Sequence, residues 1–300
     1  MQEQKSFQAS DRGRLYLVPT PIGNLEDMTF RAVTTLKEVD LILSEDTRNT
    51  QKLLNHFDIS TKQLSYHKFN HQERLATILK RLEEGEVLAQ VSDAGMPAIS
   101  DPGADLVQAV IQAGYPVIPL PGPNAALTAL MASGLDTQRF LFVGFPPRKK
   151  KALKETLADL KGDQATLIFY ESPYRLRQTL KACAEVFGND RQVVVVRELT
   201  KRFEEFRRGT LAEVLAYYED HPEIKGEICF MLAGQSEEEA QAEQAAAAPN
   251  ADLSLRDQVL GRMAQEGLTS KAAIKAVAKD QGLAKQEVYA AYHQIEGGQG

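Results

Sequence analysis

The stretch EVLAQVSDAGMPAISDPGADLVQAVIQAGYPVIPLPGPNAALTAL, residues 86–130, constrains the fold of this chain more than any other. Two short apolar runs, residues 87–91 and 117–120, each end in a loop dense in Gly, Pro and Asp, and a helix-like segment follows each loop. Strand, glycine loop, helix, twice over, predicts a parallel sheet whose loops lie side by side at the strands' carboxyl ends. Backbone N–H groups and bare glycines there let a flat, polar small molecule approach closely, so a ligand site is the first expectation. Gly and Pro also punctuate βα turns in any α/β protein. Two successive loops sharing the vocabulary Asp93-Ala-Gly-Met-Pro97, Ser100-Asp-Pro-Gly103 and Pro119-Leu-Pro-Gly-Pro-Asn124 favour function over punctuation.

The rest of the chain extends this pattern in both directions. A first strand over residues 14–18 leaves through Pro19-Thr-Pro-Ile-Gly-Asn24, where the prolines hold the chain extended. An amphipathic helix over 30–39 and a strand over 40–44 lead into Glu45-Asp-Thr-Arg48, a charged strand end at the ligand edge. Helices over 50–57 and 72–84 flank a short strand near 63–66. Beyond residue 134 the spacing predicts a second α/β set, with strands at 139–144, 165–170, 192–196, 205–209 and 227–232 and its own charged loop, Arg197-Glu-Leu-Thr-Lys-Arg202. The expected organisation is a disordered tail over 1–12, an N-terminal α/β domain over 13–136 and a second over 137–234. An acidic linker over 235–251 then leads to a small all-α, helix-turn-helix-like unit over 252–300. In that unit Lys271, Lys275 and Lys279 share a helix face, as in a docking helix but also as in many solvated faces.

Net charge is −6, which argues at face value against a nucleic-acid partner. Glu237, Glu238, Glu239, Glu243 and Asp252 lie in a segment, 236–252, without Lys or Arg, however, so most of the imbalance sits there and the folded parts are close to neutral. No apolar run is long enough to cross a bilayer and the first residues lack the apolar centre of a signal peptide, so a cytoplasmic protein is expected. Cys183 and Cys229, each inside an apolar segment, read as buried reduced thiols. His67 and His71 stand four apart with no other ligand-like residue near them and read as loop histidines, not a metal site. G-x-G-x-x-G after the first strand, the P-loop, H-E-x-x-H, paired C-x-x-C and G-x-S-x-G are all absent, which leaves a ligand held largely by backbone.

LVPTPIGNLEDMTFRA, SEDTR, VSDAGMPAISDPG, PLPGPNAALTAL, FVGFPPR, FYESPYRL and RELTK, in this order over residues 14–234, closely resemble the tetrapyrrole-methylase superfamily and, within it, its ribosomal RNA methyltransferase branch. The resemblance implies two α/β domains with S-adenosylmethionine folded in the cleft between them, a homodimer, and 16S rRNA or the small ribosomal subunit as partner. It implies 2′-O-methylation of cytidine 1402 in the usual 16S numbering. Carried over motif by motif, it places the donor against Pro19, Asp93, Ala94, Gly95, Met96, Pro97, Ile99, Pro121, Gly122, Asn124, Ala125, Tyr170, Glu171 and Leu199.

Methyl transfer from a sulfonium is an in-line displacement whose main requirement is alignment. A weakly acidic ribose hydroxyl also needs a positioned base or a polarising cation. The charged residues at strand ends are the expected source: Glu45, Arg48, Glu171 and Lys201 first, with Asp46, Arg197 and Glu198 beside them. Ion pairing across the cleft is the competing role for each. Two other functions compete with this one: a methyltransferase acting on a tetrapyrrole, which would share the donor site, and a non-catalytic RNA-binding protein that only senses the donor. Arg148-Lys-Lys-Lys151, Arg202, Arg207 and Arg208 could serve an acidic tetrapyrrole or RNA, and the appended helical unit favours RNA.

Overall fold

The computed structural model describes residues 3–6, 12–67, 71–241 and 253–293. Met1–Gln235 form one compact unit and Ser236–Gly300 a second. Among the described residues the first unit holds two five-stranded sheets.

In the first sheet, β1 (Arg14–Leu17), β2 (Leu41–Ser44), β3 (Gln63–Ser65), β4 (Val87–Val91) and β5 (Val117–Pro119) run in the order β3-β2-β4-β1-β5, every pair parallel. Alternation along each strand sends side chains to opposite faces. Ile42, Ala89 and Val91 meet Leu36 of α1 (Phe30–Glu38) and Leu54 of α2 (Thr47–His56). Leu41, Leu43 and Leu88 meet Ile78 and Leu82 of α3 (His71–Glu83) and Leu106 of α4 (Ala104–Gln112) on the other. Both faces are therefore covered, which is why these strands read as continuous apolar runs. The chain departs from expectation at α2, which begins three residues early: the Asp46 carboxylate accepts a hydrogen bond from the Arg48 N–H and caps the helix. Asp46-Thr-Arg48 is thus a cap and first turn, not a loop.

The second sheet orders β6 (Phe140–Gly144), β7 (Thr166–Glu171), β8 (Gln192–Arg197), β9 (Glu205–Thr210) and β10 (Ile228–Leu232) as β6-β7-β10-β8-β9. Only β6 and β7 are parallel; the last strand inserts antiparallel between β7 and β8. There Phe169 and Phe230, paired across strands, stack at 4.8 Å, each burial contributing about 1.5–3 kcal/mol. Helices α6 (Lys150–Asp159), α7 (Leu176–Phe187) and α8 (Leu211–Asp220) cover one face. The other is covered by α5 (Ala125–Met131), whose Ala126, Ala129 and Leu130 pack with Ile168, Val194 and Met231. So α5, although it precedes residue 134, belongs to the core of the second sheet. Cys183 and Cys229 are buried free thiols, and burial pushes the Cys229 thiol up to about 12.

Of the N-terminal tail, residues 3–6 are described, and Gln4 uses its side-chain amide to pair with both main-chain groups of Val117 on edge strand β5. Residues 7–11, and 242–252 of the linker, lie outside the described residues. In the second unit residues 237–241, expected as linker, are helical, and among the described residues beyond them α9 (Leu255–Glu266), α10 (Ser270–Asp280) and α11 (Lys285–His293) pack around Val259, Ile274, Val277 and Val288. Ser254 and Thr269 cap the first two, and Gly267, at φ +64°, ends α9 in a left-handed turn.

Candidate functional site

At the carboxyl edge of the first sheet the loops after β1, β4 and β5 lock together. Thr20 and Gly95 exchange two main-chain hydrogen bonds of 2.9 Å, and the Thr20 hydroxyl donates to the Ser92 carbonyl. Gly95 stands at φ +78°, a conformation that disfavours any side chain. At Gly122 a Cβ would fall 2.6 Å from the Pro19 Cβ, so the β5 loop can close onto the β1 loop only as glycine. The second sheet joins through β7: Tyr170 accepts a hydrogen bond from the Ala126 N–H at the start of α5, where Asn124 caps the helix by accepting from Leu127.

These loops and the ends of β7, β8 and β10 enclose a cavity of about 440 Å³. Of the residues expected around a donor, Asp93, Ala94, Gly95, Met96, Ile99, Asn124, Ala125, Tyr170, Glu171 and Leu199 line it. Pro19, Pro97, Pro121 and Gly122 do not; Pro19 and Gly122 set the loop closure instead. Ile99 is flanked by Ala98 and Ser100 at φ +67° and +63°, and Leu199 by Glu198 and Thr200 at +53° and +65°. Four non-glycine residues in the left-handed region cost about 1–2 kcal/mol each. One loop from each sheet thus carries strain on both sides of an apolar residue that faces the cavity, a pattern typical of ligand clamps.

The four expected catalytic residues separate. Glu45 lines the cavity, and burial, with Asp93 next, raises its carboxyl above the usual range. Arg48 is exposed, lies outside the cavity lining and is held by Asp46, whose carboxyl this hydrogen bond brings down to about 2. Glu171 is only 3% exposed and committed to structure: it accepts from the Thr179 hydroxyl at 2.6 Å and the Ser172 N–H at 2.8 Å, with Arg175 at 3.5 Å. Lys201 donates to Glu198 and Glu227 at 2.9 and 2.8 Å; burial works against the ammonium, but these carboxylates outweigh it and its pKa is raised. It is a fixed cation, not a base. Arg197 is likewise paired, with Glu205.

Sequence reasoning missed Asp101. It lies ten residues beyond β4, so the strand-end rule does not select it, but the left-handed residues fold the loop back into the cavity wall. Burial, and next the Glu45 carboxylate, push Asp101 up to about 6, while a hydrogen bond from Ser92 opposes them. Ile22, Ser100, Phe145, Ser172 and Pro173 also line the cavity without having been selected. The lining holds five acidic residues, Glu45, Asp93, Asp101, Glu171 and Glu227, and no Lys, Arg or His among the described residues. Glu171 and Glu227 have cationic partners; Asp93 accepts from the Asp46 N–H and Asn49, and Glu45 and Asp101 remain the acids least committed to the scaffold. Among the described residues no three His, Cys, Asp or Glu form a group that could hold a metal ion.

Residues 14–215 match the family model for tetrapyrrole (corrin/porphyrin) methylases. Over 98% of its length the chain is 51% identical to the ribosomal RNA small subunit methyltransferase I of Halalkalibacterium halodurans, all of which is covered. Among solved structures, the cobalamin biosynthetic enzyme cobalt precorrin-4 methyltransferase superimposes with a TM-score of 0.57 at 20% identity, covering 73% of this chain and 94% of that one. Uroporphyrin-III C-methyl transferase from Thermus thermophilus, complexed with S-adenyl homocysteine, gives a TM-score of 0.50 at 22% identity over 74% of this chain and 97% of that one.

Proposed function

This chain belongs to the tetrapyrrole methylase family, and from that premise we propose that it methylates small-subunit ribosomal RNA with S-adenosylmethionine, at the ribose 2′-hydroxyl of cytidine 1402 of 16S rRNA. The observation that carries this reading is the charge of the cavity wall, five acids and no Lys, Arg or His among the described residues. S-adenosylmethionine is a net cation, with a sulfonium and an ammonium against one carboxylate, and such a wall attracts it. A polycarboxylate tetrapyrrole would meet repulsion in the same lining, whereas an uncharged ribose and base can enter while their phosphates stay outside.

The residues fit the donor. A cavity of about 440 Å³ suits a molecule of its size. Gly95 and Asn124 bring the β4 and β5 loops against it, and Ile99 and Leu199 offer apolar surface for a purine from opposite sheets. Bound there, the donor supplies an electrophilic methyl group and a neutral thioether leaving group. Around it the chain's task is to align the hydroxyl and take its proton. The Asp101 carboxylate, with Glu45 beside it, accepts that proton at a carboxylate oxygen as the new C–O bond forms; a pKa near 6 leaves it ionised at neutral pH yet more basic than an ordinary aspartate. Glu171 and Lys201 hold the architecture, through Arg175 and through Glu198 and Glu227 respectively.

The homodimer belongs to the same proposal, supported by the exposed apolar side chains of Leu127 and Met131 on α5 and of Phe140 and Leu141 on edge strand β6. Met131→Asp should shift the mass measured by light scattering toward that of a single chain. No described helix is long and apolar enough to cross a membrane, and an rRNA substrate would place the protein's work in the cytoplasm.

The test supplies labelled-methyl S-adenosylmethionine with unmodified small ribosomal subunits, free 16S rRNA and a tetrapyrrole acid, then maps the label. Label on the ribose of cytidine 1402 is expected. Label on a base or on the tetrapyrrole would refute the reading, and no transfer despite tight donor binding would make the protein a sensor.

A further inference from the structure

The cavity mouth on the side of the second sheet is built unlike the rest of its wall. Phe145 lines the cavity yet is 62% exposed, and its ring meets Tyr170 edge-on at 5.7 Å. A large apolar ring left open to water at the mouth of a cavity gains burial when a partner covers it, and apolar surface at such a groove marks a binding surface. Immediately after it come Pro146 and Pro147, then Arg148, Lys149 and Lys150, all three exposed at the start of α6.

This segment is fixed from behind. The Arg175 guanidinium donates to the carbonyls of Pro147 at 2.9 Å and Pro146 at 3.4 Å, and lies 3.5 Å from the buried Glu171 carboxylate. Glu171 is in turn held by Thr179 and Ser172. A partly buried chain of hydrogen bonds and one ion pair therefore sets the direction of a short, proline-stiffened lip carrying one open ring and three cations, outside a cavity whose own lining is acidic.

We propose that this lip is the substrate-receiving surface: Phe145 stacks on the base of an unpaired target nucleotide, and Arg148, Lys149 and Lys150 take the adjoining phosphates, with Glu171 and Arg175 as positioning residues. The inference rests on the RNA reading above. It commits to single-stranded RNA because a base plane matches an open ring while the phosphates match cations that the acidic interior would repel. The division also keeps phosphate charge away from Glu45 and Asp101, where it would oppose ionisation of the base.

The test measures methyl transfer to unmodified small ribosomal subunits, fitting KM for the subunit and kcat separately, for wild type, Phe145→Ala, Phe145→Tyr and the combined Arg148→Ala, Lys149→Ala, Lys150→Ala protein. Phe145→Ala should raise KM by about ten- to a hundredfold, and Phe145→Tyr, which keeps the ring, should restore most of it. The triple variant should raise KM and make the log–log salt dependence of subunit binding shallower by roughly 2, the value for three single-strand phosphate contacts. Arg175→Lys, which keeps the charge but not the two-carbonyl fork, should raise KM while circular dichroism shows an intact fold. Wild-type KM in Phe145→Ala, or an unchanged salt slope in the triple variant, would overturn the lip. A wild-type protein that transfers no methyl to the subunit would instead overturn the RNA reading, and this inference with it.

Discussion

Asp101→Asn should make the protein more stable and less active, each with a pH dependence set by the same group. Its folded pKa of about 6 lies above the ordinary aspartate value of 3.8, so between those values the native state binds more protons than the unfolded chain, and stability falls as pH rises through that window. Above about 6 the destabilisation is complete. A shift of about two units corresponds to ~3 kcal/mol. Asp101 is only half buried, and solvent screening reduces this to ~1 kcal/mol. Asparagine removes the charge, so at alkaline pH the variant should melt ~2–4 °C higher, an advantage that fades as pH falls toward the unfolded carboxyl value. Activity should move the other way. Wild-type kcat/KM should fall as pH drops through about 6, whereas the variant should lose ~100-fold or more at neutral pH and with it that acidic limb. Differential scanning calorimetry and a single-turnover methyl-transfer profile across this range measure both. A variant that melts with wild type at alkaline pH, or keeps the wild-type rate and acidic limb, would remove Asp101 from the proposed chemistry.

Gly95→Val puts a branched side chain at φ +78° with its Cβ 3.3 Å from Ile22, so calorimetric affinity for S-adenosylmethionine should drop at least tenfold while far-UV circular dichroism is retained. Glu171→Ala strips Arg175, Thr179 and the Ser172 N–H of a buried partner and should cost ~2–4 kcal/mol in denaturant unfolding, a scaffold effect that Glu171→Gln should largely avoid. If Glu171→Gln abolished transfer without loss of stability, a catalytic role for Glu171 would return. A chain ending after Gln235 keeps the whole first unit and should bind the donor normally. It should bind rRNA more weakly and with a shallower salt slope if Lys271, Lys275 and Lys279 serve docking, and equal affinity across a salt titration would dismiss that role.

Much of this molecule can be read along the chain. Apolar runs ending in glycine- and proline-rich loops determine β1, β4 and β5 and the sheet edge at which the cavity opens, because both the doubly covered strand and the close backbone approach depend on local composition. Asp93 to Met96, Asn124 and Leu199, which the family resemblance selects, line the cavity that these loops form. What tertiary structure alone decided is which charges share a dielectric environment. Nothing local distinguishes Glu171, one residue from a loop, from a free cleft carboxylate until Thr179 and Arg175 close on it. Lys201 becomes a locked cation only when Glu227, distant in sequence, reaches it. Nor does the order of elements say that α5 will cover the second sheet, since an amphipathic helix records that it buries a face but not against what. Asp101 is the sharpest case: left-handed turns at Ala98 and Ser100 carry it into the wall beside Glu45, and proximity through folded space, which sequence spacing does not encode, raises its pKa.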